Sequence, residues 1–596
     1  RRASLSALCA VLFCIFFAPL HAQSMYWENA VRITEGDARF PRVVTNGQKT
    51  WVFWEEIDTK NETIELSCRY TDTDGTVRTT RRFAGPFPYS GRVPDIYSAA
   101  VSKRGTVAVA VLSGKRTISI FTSSDDGAYF TEVKIPHYDE PFVAPQIYAT
   151  ERGTFMLFVS LGQNDAMYAA ASPDGFAWSE FSHFLPADSQ VNPFIPVLNS
   201  MPKSDVVVFQ AQYLLESRIS YQLYATFSSD AGVTWSEPLL LTDAASLAPD
   251  DTRNFSLYHN QRPFLFTRSG VTYIAWERTY YASENSHIWV GQLTKEGIVA
   301  GTAKQISGEG NANRAVLFSF NNTLSAVWFD TRIGIETVRM AQKKGPLWEE
   351  ITLSSGRVPS LFAFPVITRS KSNVERLAFV WQENPQNGKP GIYLLEPDIS
   401  VAPPSIEPLS FETGKRAKER RVRFRIELPS DSSGVAGYSW SWSQDKSTEP
   451  PDTIMNTSKE RTVEVNASAE GKWYFKARTA DYAGNFSDSA ESEYYLDLTA
   501  PAKPSIKLPE TDKAGFIDSN SFRIRWQPDA ADSDVAGYTW HLQYLAPIDN
   551  RLVSAKHRPI RMSVDEAKPI VSALLSSHAD DALYAEKPPR CMLGKE

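Results

Sequence analysis

The chain has 596 residues, a formal net charge of -7, 42% hydrophobic residues and 22% charged residues. This composition is typical of a folded protein and excludes a largely disordered one. Because a single hydrophobic core rarely extends beyond about 250–300 residues, the length predicts several domains or one large repeat architecture. The acidic balance comes without a long basic run, so the sequence does not favour a nucleic-acid partner.

Residues 1–22 differ in composition from the rest of the chain. Two arginines precede an apolar run that ends at Leu20, and the polar Gln23 follows Ala22. This pattern predicts a secretory signal peptide. A transmembrane anchor is the alternative, but the run is short for a bilayer core of about 30 Å. We therefore expect an exported bacterial protein of the periplasm or outer surface, with no membrane span in the mature chain.

One sequence pattern recurs along the next part of the chain. It consists of a proline, an apolar stretch, a turn with Gly or Asn, and a strongly β-prone run, and it recurs roughly every 50 residues. The pattern occupies residues 39–56, 93–112, 144–159, 192–209, 262–278, 313–332 and 358–384. None of these units has a helical period. They predict an all-β fold, a seven-bladed β-propeller that spans residues 23–400.

A second pattern falls late in several units. Residues 123–130, 172–178 and 228–235 contain Ser, Asp, Gly and an aromatic residue at similar spacing, and residues 341–348 keep only Gly and Trp. These segments resemble the Asp-box (BNR) repeats of sialidase-like propellers. In such a turn Ser and Asp bond main-chain amides, Gly takes a positive φ and the aromatic ring packs between sheets. The motif is therefore structural and says nothing about the ligand.

The two ends of the predicted propeller are expected to pair. An outer strand follows the late motif of other units, but the seventh unit stops at residue 398 without one. Residues 26–34 (YWENAVRIT) match residues 347–354 (LWEEITLS), the outer strand of unit six. We expect residues 26–34 to be the fourth strand of blade 7, which removes an open sheet edge.

A Pro-rich linker near residue 401 opens a different repeat. The segment SGVAGYSW at residues 433–440 recurs as SDVAGYTW at residues 533–540. The pattern predicts a complete β-sandwich over residues 401–499, similar to the immunoglobulin-like and fibronectin-like modules of bacterial surface proteins. Residues 500–596 predict an incomplete second module, because the aromatic alternation is missing. We expect no sandwich strands after residue 556.

Two sets of charged residues are expected at one mouth of the propeller. One set precedes the first strand of a blade and the other follows the second strand, positions that share a face. The first set is Arg39, Arg92, Arg262 and Arg357, and the second is Glu55, Glu56, Glu277, Arg278, Asp330, Arg332 and Glu383. Arginine donates two parallel hydrogen bonds to a carboxylate and stays protonated. The predicted ligand-binding residues are Arg39, Arg92, Arg262, Arg357, Arg278, Arg332 and Glu383.

Two other interpretations of these residues remain open. In sialidases three arginines hold the sugar carboxylate, while an Asp, a Glu and a Tyr carry out hydrolysis, so the resemblance makes Glu277 and Asp330 candidate catalytic residues. However, the predicted blade count is seven where sialidases have six, and no tyrosine stands out as a nucleophile. The charges could instead pair with one another between adjacent blades. No sequence pattern supports a metal or a cofactor.

The expected function is recognition of a glycan or another surface ligand without catalysis, in the sensing part of a larger receptor. A sialidase-like glycoside hydrolase acting on acidic sugars is one alternative. A scaffold for protein partners is the other. Fold alone does not choose between these three.

Overall fold

A computed structural model describes most of the chain. It covers residues 25–71, 80–89, 96–114, 117–135, 142–161, 167–185, 189, 191–215, 218–242, 258–280, 285–369 and 375–511, with short stretches between 513 and 562. Within these ranges every named element is a β-strand, and no helix is long and apolar enough to cross a bilayer. The predicted signal peptide, Arg92 and residues 563–596 lie outside the described residues.

The chain divides into two compact units. The first contains residues 1–402, 429–436 and 480–487, and the second contains residues 403–428, 437–479 and 488–596. Two short segments beyond residue 402 therefore belong to the first unit. The predicted domain boundaries at residues 22, 400 and 499 stay predictions.

The described residues of the first unit form seven antiparallel sheets, six with four strands and one with five. Sheet 1 contains Asp37–Thr45, Thr50–Asp58, Thr63–Thr71 and Arg81–Pro88. Sheet 2 contains Tyr97–Val101, Val107–Gly114, Thr117–Ser123 and Thr131–Lys134, and sheet 3 contains Phe142–Ala149, Phe155–Leu161, Met167–Ser172 and Ser182–His183. Sheet 4 contains Phe194–Met201, Ser204–Leu215, Arg218–Ser228 and Leu239–Leu240.

Sheets 5 to 7 continue the same order. Sheet 5 contains Tyr258–Arg268, Val271–Tyr280, Ser286–Thr294, Gly297–Ile298 and Lys304–Gln305. Sheet 6 contains Asn313–Phe320, Thr323–Asp330, Thr337–Lys344 and Leu347–Thr352. Sheet 7 contains Ser360–Arg369, Glu375–Glu383, Gly391–Leu395 and, from the other end of the chain, Val31–Arg32.

The N-terminal strand pairs where the sequence predicted. Val31 lies opposite Leu394 and Arg32 lies opposite Tyr393. The regular strand is two residues long, shorter than the predicted residues 26–34. Trp27 extends the pairing through a bridge to Pro397, and its ring packs edge-on against Phe379 with centroids 5.4 Å apart.

The first strands of the seven sheets contact one another in cyclic order, and the first strand of sheet 7 contacts that of sheet 1. Apolar residues of the second strands fill the space between consecutive sheets. Val206 and Val208 of sheet 4, for example, share a buried cluster with Ile274 and Trp276 of sheet 5. A cluster of the same kind, containing Trp54 and Val380, joins sheet 1 to sheet 7. Burial of both faces of each sheet therefore explains the near-continuous apolar runs of the second strands.

The late Ser-Asp-Gly segments form turns held by their own side chains. Gly127 N donates to Ser123 Oγ at 2.9 Å, and Tyr129 N donates to Asp125 Oδ1 at 2.9 Å. The turns at residues 172–178 and 228–235 repeat these bonds. The hydroxyl and amide of Thr234 lower the pKa of Asp230 to about 2. The Ser and Asp side chains of these three turns therefore stabilise the turns themselves.

The first strands of six sheets contain a bulge at the same place. The register shifts just after Arg39 in sheet 1 and at corresponding points in sheets 3, 4, 5, 6 and 7. In five of these bulges a residue other than glycine has a positive φ, between 45° and 56°: Phe40, Ile195, Arg262, Arg314 and Phe362. Such a backbone costs about 1–3 kcal/mol and persists only where the surroundings hold it.

A side chain from the preceding sheet holds the main chain at several of these positions. Four acceptors, here called the sheet-linking acceptors, each accept a hydrogen bond from a main-chain N–H of the next sheet or of the segment leading into it. They are Glu55 to Ile96 at 2.7 Å, Gln210 to Arg262 at 3.0 Å, Glu277 to Arg314 at 2.7 Å and Gln382 to Phe40 at 2.8 Å. The last bond joins sheet 7 to sheet 1. In sheet 6 the position holds Phe329, whose ring instead packs against Phe362 with centroids 5.8 Å apart.

Residues 405–496, most of which belong to the second unit, form two sheets with one core. The three-stranded sheet contains Ser405–Pro408, Arg421–Glu427 and Thr462–Asn466, and the five-stranded sheet contains Arg416–Ala417, Ala490–Leu496, Gly471–Asp481, Val435–Ser443 and Asn456–Thr457. Phe424 from one sheet stacks on Phe475 from the other with centroids 4.2 Å apart. Buried and exposed residues alternate along Arg421–Glu427, so one face of this strand packs in the core.

Beyond residue 499 the described strands form only two-stranded pairs. They are Ser505–Lys507 with Arg525–Gln527, Tyr538–Trp540 with Ile560–Met562, and Leu545–Ile548 with Arg551–Ser554. Ile560–Met562 pairs with a single strand, which leaves the expectation that residues 556–596 lack a sandwich fold a prediction. The predicted incomplete second module stays a prediction.

We predict that Gln382→Met lowers the free energy of unfolding by about 1–3 kcal/mol, because the buried amide of Phe40 loses its acceptor. Gln382→Glu keeps an acceptor and should lose less at pH 5, where a buried carboxyl is protonated. Chemical unfolding measures both, and Gln48→Met, at an exposed glutamine, is the control. Equal stability of Gln382→Met and the wild type would contradict the linking role.

We predict that deletion of residues 25–34 lowers the free energy of unfolding by about 3 kcal/mol or more. The deletion removes the packing of Trp27 on Phe379 and leaves Gly391–Leu395 as an open edge. Thermal unfolding and light scattering should show lower stability and more aggregation. An unchanged unfolding curve would show that this strand does not matter for stability.

Candidate ligand-binding site

Three arginines form a cluster where the first strands meet. Arg262 and Arg314 are the bulge residues of sheets 5 and 6, and Arg42 follows the bulge of sheet 1; all three are half-buried. We call them the arginine cluster. Burial and the positive charges of Arg42 and Arg262 lower the pKa of Arg314 to about 10, against the opposing effect of Glu277. Arg314 therefore lies in an electropositive environment, and its charge costs free energy in the folded protein.

Glu277 bonds two residues of this cluster, and both of its carboxylate oxygens accept hydrogen bonds. Arg262 Nη1 donates to Oε2 at 2.6 Å, and the main-chain N–H of Arg314 donates to Oε1 at 2.7 Å. The side chain is 1% exposed. Burial raises the pKa of Glu277, although Arg262 and Arg314 oppose the shift. Glu277 thus positions the two bulges and offsets part of the positive charge of Arg262 and Arg314.

Glu55 is another buried carboxylate, and it interacts with Arg42. Its Oε1 accepts the bond from Ile96 N, and it too is only 1% exposed. Burial raises the pKa of Glu55 to about 7, while the Ile96 amide, Arg42 and Arg39 oppose the shift. Near neutral pH this carboxyl is therefore about half protonated, and it offsets less positive charge than a full carboxylate would.

Aromatic rings lie beside the arginine cluster. Phe40 and Phe362, both bulge residues, contact each other with centroids 5.4 Å apart. The guanidinium of Arg314 lies over the Phe362 ring at 5.4 Å, and that of Arg42 lies over the Phe364 ring at 5.7 Å. Aromatic faces beside guanidinium groups offer a stacking surface and charged donors in one place. That combination suits a ring that carries a carboxylate.

The other predicted binding residues lie apart from this cluster or are occupied within their own sheets. Arg39 pairs with Asp37 (Nε to Oδ1, 2.7 Å), and Arg332 pairs with Asp330 and Glu350. Arg278 donates to Asn260 and its guanidinium stacks on the Trp289 ring at 4.2 Å. Glu383 accepts from the Trp381 indole, and Arg357 is exposed. Arg92 lies outside the described residues. These contacts pair charges within single sheets. The binding role predicted for these residues stays a prediction.

Asp330 is a buried acid with many donors around it. Its Oδ2 accepts from Arg332 Nη2 at 2.7 Å and from the Trp328 indole at 3.3 Å, and Oδ1 accepts from Arg339 Nε at 3.1 Å. Glu56 and Glu383 likewise accept from the indole two residues before them. An acid two residues after a buried Trp therefore satisfies that indole in three sheets.

Sequence reasoning identified Arg262 but missed Arg42 and Arg314. The signal for Arg314 was present, because NRAVLF at residues 313–318 aligns with QRPFLF at residues 261–266. Ala315 replaces the proline on which the repeat was recognised. Arg42 follows its proline instead of preceding it, so the Arg-Pro pattern did not include it.

Comparisons with known proteins give distant structural similarity only. No protein-family model matches the sequence, and no curated protein matches it. The chain is similar to polysaccharide lyase Uly1 at 12% identity and a TM-score of 0.41, covering 64% of this chain and 94% of that one. A Burkholderia pseudomallei lectin is 11% identical with a TM-score of 0.37, covering 59% and 98%.

A Hadza microbial sialidase is 14% identical with a TM-score of 0.33, covering 53% of this chain and 66% of that one. Similarity at this level assigns no ligand.

The pKa of Glu55 predicts a pH-dependent effect of Glu55→Gln. A carboxyl whose folded-state pKa is raised from about 4.5 to about 7 favours folding below the lower value and loses that contribution as pH rises through the upper one. Glu55→Gln keeps an acceptor, as at Gln210 and Gln382. It should raise the free energy of unfolding at pH 8 by up to about 3 kcal/mol, and by little at pH 4.5. A gain of the same size at both pH values would contradict the buried charge.

Proposed function

We propose that the seven sheets are the blades of a β-propeller that binds an anionic ligand, a carboxylate-bearing glycan, on the arginine cluster. The observation that carries this proposal is Arg314. Its charge is held beside two other arginines at a free-energy cost, and one fully bonded carboxylate offsets only part of it. Such an arrangement is retained where a negative ligand supplies the missing balance.

The aromatic neighbours support a ring-shaped ligand over a simple anion. Phe362, which contacts Phe40, gives an apolar surface beside the guanidinium of Arg314, and Phe364 lies beside that of Arg42. A sugar acid presents an apolar ring face and a carboxylate on one small molecule. The site chemistry therefore matches a uronate or a sialic acid better than an inorganic ion.

We propose recognition without hydrolysis. A general acid or nucleophile must reach the reacting atoms, but both oxygens of Glu277 and of Asp330 are bonded within the protein. The hydrogen bonds that Glu277 and Asp330 accept within the protein therefore account for the burial of both acids. We further propose that residues 1–22 export the protein and that it is the sensing part of a bacterial envelope receptor, since the predicted leader and modules fit that arrangement.

We predict that Arg314→Gln weakens binding of a carboxylated glycan by about tenfold to a hundredfold, the loss expected for one charge-assisted contact. The free energy of unfolding should stay unchanged or rise, because a destabilised charge is removed. The N–H of residue 314 still bonds Glu277. Calorimetric titration with oligouronates and sialosides, alongside chemical unfolding, measures both quantities.

Arg104→Gln is the matched control, since Arg104 is exposed on the turn between the first two strands of sheet 2. It should bind like the wild type, and the neutral form of each glycan should bind neither protein. Wild-type affinity in Arg314→Gln would refute the site. Sialoside turnover that disappears in Glu277→Gln would instead favour the hydrolase.

A further inference from the structure

Three acidic side chains from separate stretches of the first unit converge near its residue 398. Asp398, Asp431 and Asp481 each place a carboxylate oxygen within 4.8 Å of the other two. Residues 429–436 and 480–487 carry two of them, and both segments belong to this unit. We call these residues the aspartate triad. Convergence of three like charges is unfavourable unless a cation or protons balance them.

One oxygen of the triad has no hydrogen-bond partner. Asp398 is 6% exposed, and its Oδ2 is buried without a donor among the described residues. Native proteins rarely leave a buried carboxylate oxygen unbonded, so each case points to a missing partner. Its other oxygen accepts from Asn485 Nδ2 at 3.3 Å. Burial raises the pKa of Asp398, a hydrogen bond from Ser433 opposes the shift, and the charges of Asp431, Asp481 and Glu28 add to it.

Two loops hold the triad in place. Tyr482 N donates to Gly434 O at 3.0 Å, which joins the loop of Asp431 to the loop of Asp481. Asp398 N donates to Tyr26 O at 3.0 Å, which fixes the third carboxylate. These main-chain bonds fix the backbone on either side of the triad, and within their own loops Asp431 Oδ1 accepts from Ser433 N and Asp481 Oδ1 accepts from Asn485 N.

We propose that the aspartate triad binds a calcium ion. Calcium takes six to eight oxygen ligands at about 2.3–2.6 Å, so oxygens on opposite sides of the ion lie roughly 4.6–5.2 Å apart. Three carboxylate oxygens within 4.8 Å of one another can share one such ion. Magnesium demands a near-ideal octahedron and usually keeps several waters, whereas calcium accepts an irregular shell of carboxylates and carbonyls such as separate loops supply.

A fourth protein ligand is available at Asn485. Its Nδ2 now donates to Asp481 Oδ2 at 2.8 Å and to Asp398 O at 3.2 Å. Rotation of this amide by half a turn places its carbonyl oxygen where the NH₂ group lies. Three carboxylates, one amide oxygen and waters complete a calcium shell. The bound ion supplies the partner that Asp398 Oδ2 lacks.

The test uses the full chain after chelator treatment and dialysis. Calorimetric titration with CaCl₂ should show one saturable site, and calcium at roughly 100 times Kd should raise the melting temperature by about 3 °C or more. MgCl₂ and KCl at equal ionic strength should raise it less. No heat and no shift beyond that of KCl would overturn the proposal.

Two variants separate a calcium site from a shared-proton cluster. Asp398→Asn should weaken calcium binding at least tenfold, and in chelator it should unfold at the wild-type temperature or above, since repulsion is relieved. Asp431→Asn, at the half-buried member of the triad, should behave alike if Asp398→Asn fails to fold. Glu309→Gln, at an exposed glutamate of the same unit, should keep the wild-type response. An undiminished calcium response in both aspartate variants would overturn the site.

Discussion

The architecture of the first unit depends on one repeated hydrogen bond between consecutive sheets. At the end of a second strand, a buried Glu or Gln accepts the main-chain N–H of a residue at the start of the next sheet. Apolar contact between sheets tolerates sliding, whereas this bond fixes the backbone at the start of the next sheet at four of the seven junctions. At Phe40, Arg262 and Arg314 it also satisfies an amide that a bulge removes from its ladder.

That bond also determines which side chains meet where the first strands converge. A bulge residue with positive φ turns its side chain away from the alternation of the strand. Arg262, Arg314, Phe40 and Phe362 all occupy such positions. Glu277 serves both purposes, because one oxygen holds the bulge of sheet 6 and the other pairs with Arg262. The same geometry that joins the sheets thus assembles the candidate site.

Much of the fold could be predicted from the sequence because its signals are local. The prolines mark the bulges, the apolar runs mark the second strands, and the Ser-Asp-Gly turns carry their own hydrogen bonds. The match between residues 26–34 and residues 347–354 identified the pairing of Val31–Arg32 with sheet 7. The length of the N-terminal strand was less predictable, since only Val31–Arg32 pair regularly out of the matched residues 26–34.

The candidate site was less predictable because its roles depend on partners distant in sequence. Two of the sheet-linking acceptors are Glu and two are Gln, so a search for charged residues does not reveal the role that the four share. Glu277 and Asp330 have the residue type of catalytic acids, and only their bonding partners show a structural use. Likewise, the sequence predicted no metal site, because the three triad aspartates lie in stretches far apart along the chain.

The most direct measurement of the central claim is a crystal structure of the chain with a bound oligouronate. The account predicts a sugar carboxylate within hydrogen-bond distance of Arg314 or Arg42, the sugar ring against Phe40 or Phe362, and Glu277 still bonded to Arg262. A glycan bound elsewhere on the protein, with the arginine cluster free of ligand, would contradict it.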